Sequence, residues 1–202
     1  VSELTVSRRN TVLFFIAYTL LLIGLVVLDQ STKFHAEKLF LAWSHPSNLH
    51  AMQTTTHNAF TLGSPTGTGN WFEFNFTYVR NTGAIWGFMG NLPKGLSNIF
   101  FLALYPIFVI MLGFTFRASK PGQRLLRFSI ICILSGAIGN FIDRSTVGYV
   151  IDWMHPQWRI WGWAYSYPVF NIADAAIVSG VVLWFLDSIL ESRATKRLAT
   201  SA

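Results

Sequence analysis

Cysteine occurs once, as Cys132 inside an apolar run, so no internal disulfide can form and no redox compartment can be read. Charge is also scarce: 12% of the 202 residues are Asp, Glu, Lys or Arg, against about 25% in average soluble domains. With 52% hydrophobic residues and a mean hydropathy of +0.43, a soluble fold would expose large apolar areas to water, and disorder is excluded for the same reason. No Gly-rich phosphate loop and no Ser or Cys nucleophile signature is present. The five histidines, His35, His45, His50, His57 and His155, match no metal-ligand spacing. Neither a metal nor a cofactor is therefore expected.

The charge that is present sums to +6, but the basic residues do not form the single patch that nucleic acid would require. They flank apolar stretches, which is a membrane pattern. Residues 10–28 carry no charged side chain, and a helix of that length rises about 28 Å, close to a bilayer core of roughly 30 Å. Residues 95–116 are likewise uncharged. A third span is placed at 126–143, although its uncharged part would rise only about 22 Å, so Arg127 or Asp143 must be drawn to the membrane edge. The fourth, 168–187, is apolar apart from Asn171 and Asp174 near its beginning and Asp187 at its end. Arg8 and Arg9 before an apolar core also fit a cleaved leader. No small-residue cleavage site follows, however, and the run ends in Leu28-Asp29-Gln30, so a retained span is the reading.

Four spans put both termini and the 117–127 connection on one side. That side holds nine basic and three acidic residues, whereas the other holds six of each. The positive-inside rule then places both termini in the cytoplasm. The expected fold is an all-α membrane protein of one domain, residues 1–202, with a small β-rich platform on the outer face and a long outer connection, 35–94. Within that connection, 35–43 reads as amphipathic and 44–70, rich in Ser, Thr, Gly and Asn, as loop. Residues 71–79 alternate and are aromatic-rich, as a strand would be, and 147–152 again looks extended. Trp71, Trp86, Trp153, Trp158, Trp161 and Trp163 all fall in the outer segments, where aromatic rings favour the membrane interface.

Ionisable groups at membrane depth are costly and suggest function. Asp29 and Lys33 are spaced i, i+4 and could be an ion pair closing a helix end. Arg80-Asn81-Thr82-Gly83-Ala84 could be a plain turn, or an amide and free backbone groups offered to a ligand. Asn140, Asp143 and Arg144 share one helix face. Ser135, Gly136 and Gly139 allow a second helix to approach, and Arg144 beside Asp143 is expected to hold it as a structural anchor. Asn171 could be an N-cap, with Asp174 at the third helical position. Asp152, between Ile151 and Trp153, is a carboxylate in bulky apolar company. Two carboxylates that share a proton can activate water, which is aspartic-protease chemistry. A small proton-coupled transporter is the alternative, since membrane carboxylates also form proton relays; transporters, however, tend to place them near the midplane on broken helices.

Five motifs carry a resemblance: Asp29-Gln30-Ser31-Thr32-Lys33, Arg80-Asn81-Thr82-Gly83-Ala84-Ile85-Trp86-Gly87, Gly136-Ala137-Ile138-Gly139-Asn140-Phe141-Ile142-Asp143-Arg144, Val150-Ile151-Asp152-Trp153 and Phe170-Asn171-Ile172-Ala173-Asp174. In that order they resemble the lipoprotein signal peptidases (signal peptidase II). The resemblance implies four transmembrane helices and a small β-cradle. It also implies an aspartic endopeptidase of the inner membrane that cuts exported prolipoproteins just before a diacylglyceryl-modified cysteine. Its catalytic pair would be Asp152 and Asp174, while Asp29, Lys33, Asn81, Gly83, Asn140, Asp143, Arg144, Asn171 and Ala173 would shape the site or bind substrate. The expected partners are a lipid-modified prolipoprotein and membrane lipids, the site faces outward, and a monomer is expected. Ser135-Gly136, Ala84-Ile85-Trp86 and Val150-Ile151-Asp152-Trp153 depart from the usual family patterns by apolar or small-for-small changes. The 44–70 segment and the Trp-rich stretch between Asp152 and Asp174 look enlarged.

Overall fold

The computed structural model describes residues 2–43, 56–65, 68–83, 94–120 and 122–200. In chain order the elements are α1 (Ser2–Trp43), β1 (Thr56–Gly63), β2 (Trp71–Asn81), α2 (Lys94–Ala118), α3 (Arg124–Thr146), β3 (Val150–Ile160), β4 (Trp163–Ser166) and α4 (Ile172–Thr200). Among the described residues four helices have stretches long and apolar enough to cross a membrane: Val12–Ala42, Asn98–Ala118, Arg124–Thr146 and Ile172–Ala194.

Several expected boundaries move. The amphipathic stretch 35–43 is the end of α1, because no Gly or Pro between Leu28 and Trp43 interrupts the helix. The short third span becomes α3, whose 23 residues rise about 35 Å. Its first turns carry Arg127, which donates from Nε to Ser119 Oγ (2.8 Å) and from Nη2 to Ser119 O (2.7 Å), satisfying a carbonyl just past the end of α2. Helix α4 starts at Ile172 instead of 168, because the backbone of Phe170 pairs with Met154 in a β-bridge (N–O 2.9 and 3.0 Å). The largest correction is β1, which lies inside the segment read as loop. Its Thr, Asn and Phe residues suit an exposed edge strand, where polar side chains are no handicap. Residues 44–55 and the Ala84-Ile85-Trp86-Gly87 part of the second motif lie outside the described residues.

The chain forms two compact units. The first comprises Val1–Leu28, Leu104–Gly139 and Ala173–Ala202. Its core is Leu112 from α2 with Leu126, Ile130 and Leu134 from α3, and Leu22, Val109, Phe116, Ile133 and Trp184 pack around them. Outside this seam large apolar side chains face outward, among them Leu20 and Val27 on α1, Ile107 and Phe114 on α2, and Val181 and Phe185 on α4. Apolar exposure on that scale marks a lipid-facing surface. Helices α3 and α4 approach closely at two glycines: a Cβ on Gly136 would overlap the Ala173 carbonyl, and one on Gly180 would lie 2.7 Å from Ser129 O. Close approach through small residues is how helices associate where no hydrophobic drive exists.

The second unit comprises Asp29–Ala103 and Asn140–Ile172. Its four-stranded antiparallel sheet runs in order β1-β2-β3-β4. The register gives the sheet two unlike faces. Phe60 opposes Phe74, Leu62 opposes Phe72, and those two phenylalanines oppose Pro156 and Trp158, with Tyr165 beyond on β4. On the other face Asn58 opposes Asn75, Asn75 opposes His155, and Gln157 opposes both Glu73 and Ser166. The polar face is internally bonded: Asn58 Nδ2 donates to Asn75 Oδ1 (2.9 Å), Thr77 Oγ1 lies 2.9 Å from His155 Nδ1, and Gln157 Nε2 donates to His155 Nε2 (3.1 Å). Phe40 from the end of α1 packs with Tyr78 and Ile151 into a small core, and burial pushes the Tyr78 phenol pKa up.

Candidate active site

Three of the polar residues singled out in the sequence, Asp29, Asn140 and Asp143, converge in the second unit on one buried ammonium. Lys33 Nζ lies 2.8 Å from Asp29 Oδ2, 2.9 Å from Asp143 Oδ2 and 3.0 Å from Asn140 Oδ1. Its three protons thus meet three acceptors. The helical offset Asp29 to Lys33 supplies the first contact within α1, and the offset Asn140 to Asp143 supplies the other two from α3. Lys33 and Asp29 are each 1% exposed and Asp143 is 4% exposed, so the charges are desolvated and depend on one another. Asp143 also accepts from Gln30 Nε2 at Oδ1 (2.8 Å) and from the Ile151 amide at Oδ2 (3.1 Å), which pins the start of β3 to the end of α3.

Arg144 is not the partner of Asp143, contrary to expectation. Its Nη2 donates to the Gly83 carbonyl, its guanidinium lies 4.2 Å from the centre of the Phe101 ring, and its own carbonyl accepts from Asn98 Nδ2 (3.4 Å). Its Nε and Nη1 are buried with no hydrogen-bond partner among the described residues.

Asp152 sits one residue beyond the pinned Ile151, at 1% exposure. Asn171 Nδ2 donates to its Oδ1 (2.7 Å) and Asn81 Nδ2 to its Oδ2 (2.8 Å). Asn81 can do this because its own Oδ1 accepts from the Gly83 amide (2.9 Å), an Asx turn that fixes which way the amide faces. Arg80-Asn81-Thr82-Gly83 is thus a turn, and the turn aims the Asn81 amide at Asp152. Asn171 Nδ2 also lies within reach of Asn140 Oδ1 (3.2 Å) and Ile151 O (3.3 Å), linking the Lys33 cluster to Asp152. Two neutral amides thus hold Asp152, whereas a fixed cation stands between Asp29 and Asp143.

Asp174 falls in the first turn of α4, and it and Ala173 belong to the first unit. Among the described residues no cluster of three or more His, Cys, Asp or Glu side chains could hold a metal ion. The sequence reading missed Gln30 as a bridge between Asp29 and Asp143, although its place between Asp29 and Lys33 in the first motif was the available signal. It also missed the Ile151 amide, for which a backbone group leaves no signal.

Solved structures of like shape are membrane enzymes. One, described as a bacterial membrane enzyme, is 27% identical with a TM-score of 0.61 over 91% of this chain and 93% of that one. A second of the same description is 27% identical with a TM-score of 0.56, covering 86% and 92% of the two chains. The protein is accordingly of the multi-span membrane enzyme class. Sequence comparison says which kind: the family model described as signal peptidase (SPase) II matches residues 21–190. The lipoprotein signal peptidase of Geobacter metallireducens is 40% identical over 59% of this chain and 70% of its own. That of Actinobacillus succinogenes is 41% identical over 57% and 68%. The chain belongs to the signal peptidase II family and is a peptidase. Membership removes the transporter alternative.

Proposed function

We propose that this peptidase removes signal peptides from lipid-modified prolipoproteins, cutting before the diacylglyceryl-modified cysteine, with Asp152 and Asp174 as its catalytic carboxylates. One observation carries the assignment on this chain: Asp152 is buried and held at both oxygens by the amides of Asn81 and Asn171. The amides of Asn81 and Asn171 are neutral donors, unlike the ammonium that stands between Asp29 and Asp143. In the proposed reaction one acid is protonated and donates a hydrogen bond to the scissile carbonyl, while the other, ionised, takes a proton from water. The hydroxide adds to the carbonyl carbon, the amide nitrogen collects a proton as the C–N bond breaks, and carboxyl and amine products leave. Asp29, Lys33, Asn140 and Asp143 are positioning residues that fix Ile151 and Asn171, while Gly83, Arg144 and Ala173 shape the substrate path.

The same reading places the enzyme in the inner membrane as a monomer, with both termini cytoplasmic and the site at the outer face. The test uses purified protein in detergent with a prolipoprotein bearing the diacylglyceryl cysteine and with the same chain unlipidated. Cleavage that yields a lipidated N-terminal cysteine is expected only for the first. Equal cleavage of both, or cleavage at another bond, would remove the substrate assignment.

A further inference from the structure

The β3–β4 hairpin closes through two residues. Ile160 pairs with Trp163, leaving Trp161 and Gly162 as the loop, with φ of 50° and 84°. A two-residue loop with positive φ at both positions is the primed turn that matches strand twist, and its first position ordinarily takes Asn, Asp or Gly. Gly162 fits that rule. Trp161 does not: a bulky side chain in the left-handed region is sterically disfavoured. Nor does packing within the protein account for it, because Trp161 is 87% exposed and Trp163 84% exposed. The turn holds two indoles outward at a position where local chemistry favours a small polar residue.

Their surroundings say what they meet. The tip continues the aromatic face of the sheet, on which Phe60, Leu62 and Tyr165 are also exposed, whereas the opposite face is polar and bonded to itself. From 153 to 173 the single formal charge is Arg159, and no carboxylate occurs; the segment can approach phosphate headgroups without burying an anion. Both tethers of the β3–β4 hairpin are short, three residues from α3 to β3 and five from β4 to α4. Indole prefers the boundary between headgroups and acyl chains.

We propose that the Trp161-Gly162-Trp163 tip inserts into the bilayer interface and anchors the sheet with its aromatic face toward lipid. The anchor is independent of which carboxylates are catalytic.

The test uses the full chain labelled with 5-fluorotryptophan, in phosphatidylcholine nanodiscs. The protein has eight tryptophans, and Trp161→Phe and Trp163→Phe assign the two fluorine resonances of interest. A lipid spin-labelled near the headgroup end of its acyl chain should broaden both beyond detection, whereas a soluble gadolinium chelate should leave them visible. Broadening by the chelate and not by the lipid would place the tip in water and overturn the proposal. Broadening by neither would mean that protein covers it, such as a second copy, and would overturn it too. Trp161→Asn supplies the control for packing. It should remove one lipid-broadened resonance and leave those of Trp71, Trp153 and Trp158 in place, since Asn suits the turn. Displacement of those three would show that Trp161 is part of the sheet's own packing, against the proposal.

Discussion

Three buried aspartates in one unit have different company, and that difference sets their expected behaviour. Replacing Asp152 or Asp174 by Asn keeps the volume and removes the acid, and each is expected to lower kcat by roughly 10²–10⁴-fold, the worth of a general acid or base. Binding of lipidated substrate and membrane insertion should be retained; near-normal turnover of Asp152→Asn in the detergent assay would refute its role. Lys33→Met is expected to act through stability, because it leaves Asp29 and Asp143 buried without their shared cation. Removing one partner of such a group costs about 3–5 kcal/mol, to be read as a lowered midpoint of denaturant unfolding in micelles. The sequence singled out residues that meet here, but not how they pair. Adjacency suggested Asp143 with Arg144, yet neighbouring helical residues point about 100° apart and do not face each other. The real partner, Lys33, is 110 positions away in sequence, a distance that only the packing of α1 against the end of α3 closes.

Among the elements, the helices were legible because uncharged runs of bilayer length have few other uses, and β2 because aromatic residues alternate along it. Strand β1 was not, since an edge strand with a polar face has the composition of a loop. Its presence changes what can be deleted. Removing 44–55 while keeping Thr56–Gly63 should leave cleavage largely intact, whereas removing β1 as well bares the β2 edge and should produce aggregation visible in size-exclusion profiles. If the larger deletion stays monodisperse and active, the strand is dispensable. A pH effect belongs at this scale too. Burial lowers the His155 pKa below its ordinary 6.5, so the folded sheet favours the neutral ring, whose Nε2 accepts from Gln157. A lowered folded value means that the contribution is complete above about pH 6.5 and is lost as pH falls through the folded pKa. Amide exchange in β3, corrected for intrinsic rates, should therefore quicken between pH 7 and pH 5, and His155→Gln should flatten that dependence. An unchanged slope in the variant would assign the effect to another group.

For the whole molecule, the charge asymmetry predicts that reporters fused at Lys120 and at the C-terminus read as cytoplasmic, and that one inserted within 44–55 reads as external. An external Lys120 would overturn the four-span topology. The ammonium shared by Asp29 and Asp143 bears on something different, the order in which the chain enters the bilayer during synthesis. Helix α1 emerges first and carries its own counterion pair four residues apart, so it can leave the translocation channel by itself. Helix α3 brings Asp143 to the membrane edge, where the cation that pairs with it is the Lys33 ammonium of a segment made earlier. On that ground α3 of Lys33→Met is expected to leave the channel more slowly than that of the unaltered chain, the first helix acting as a chaperone for the third.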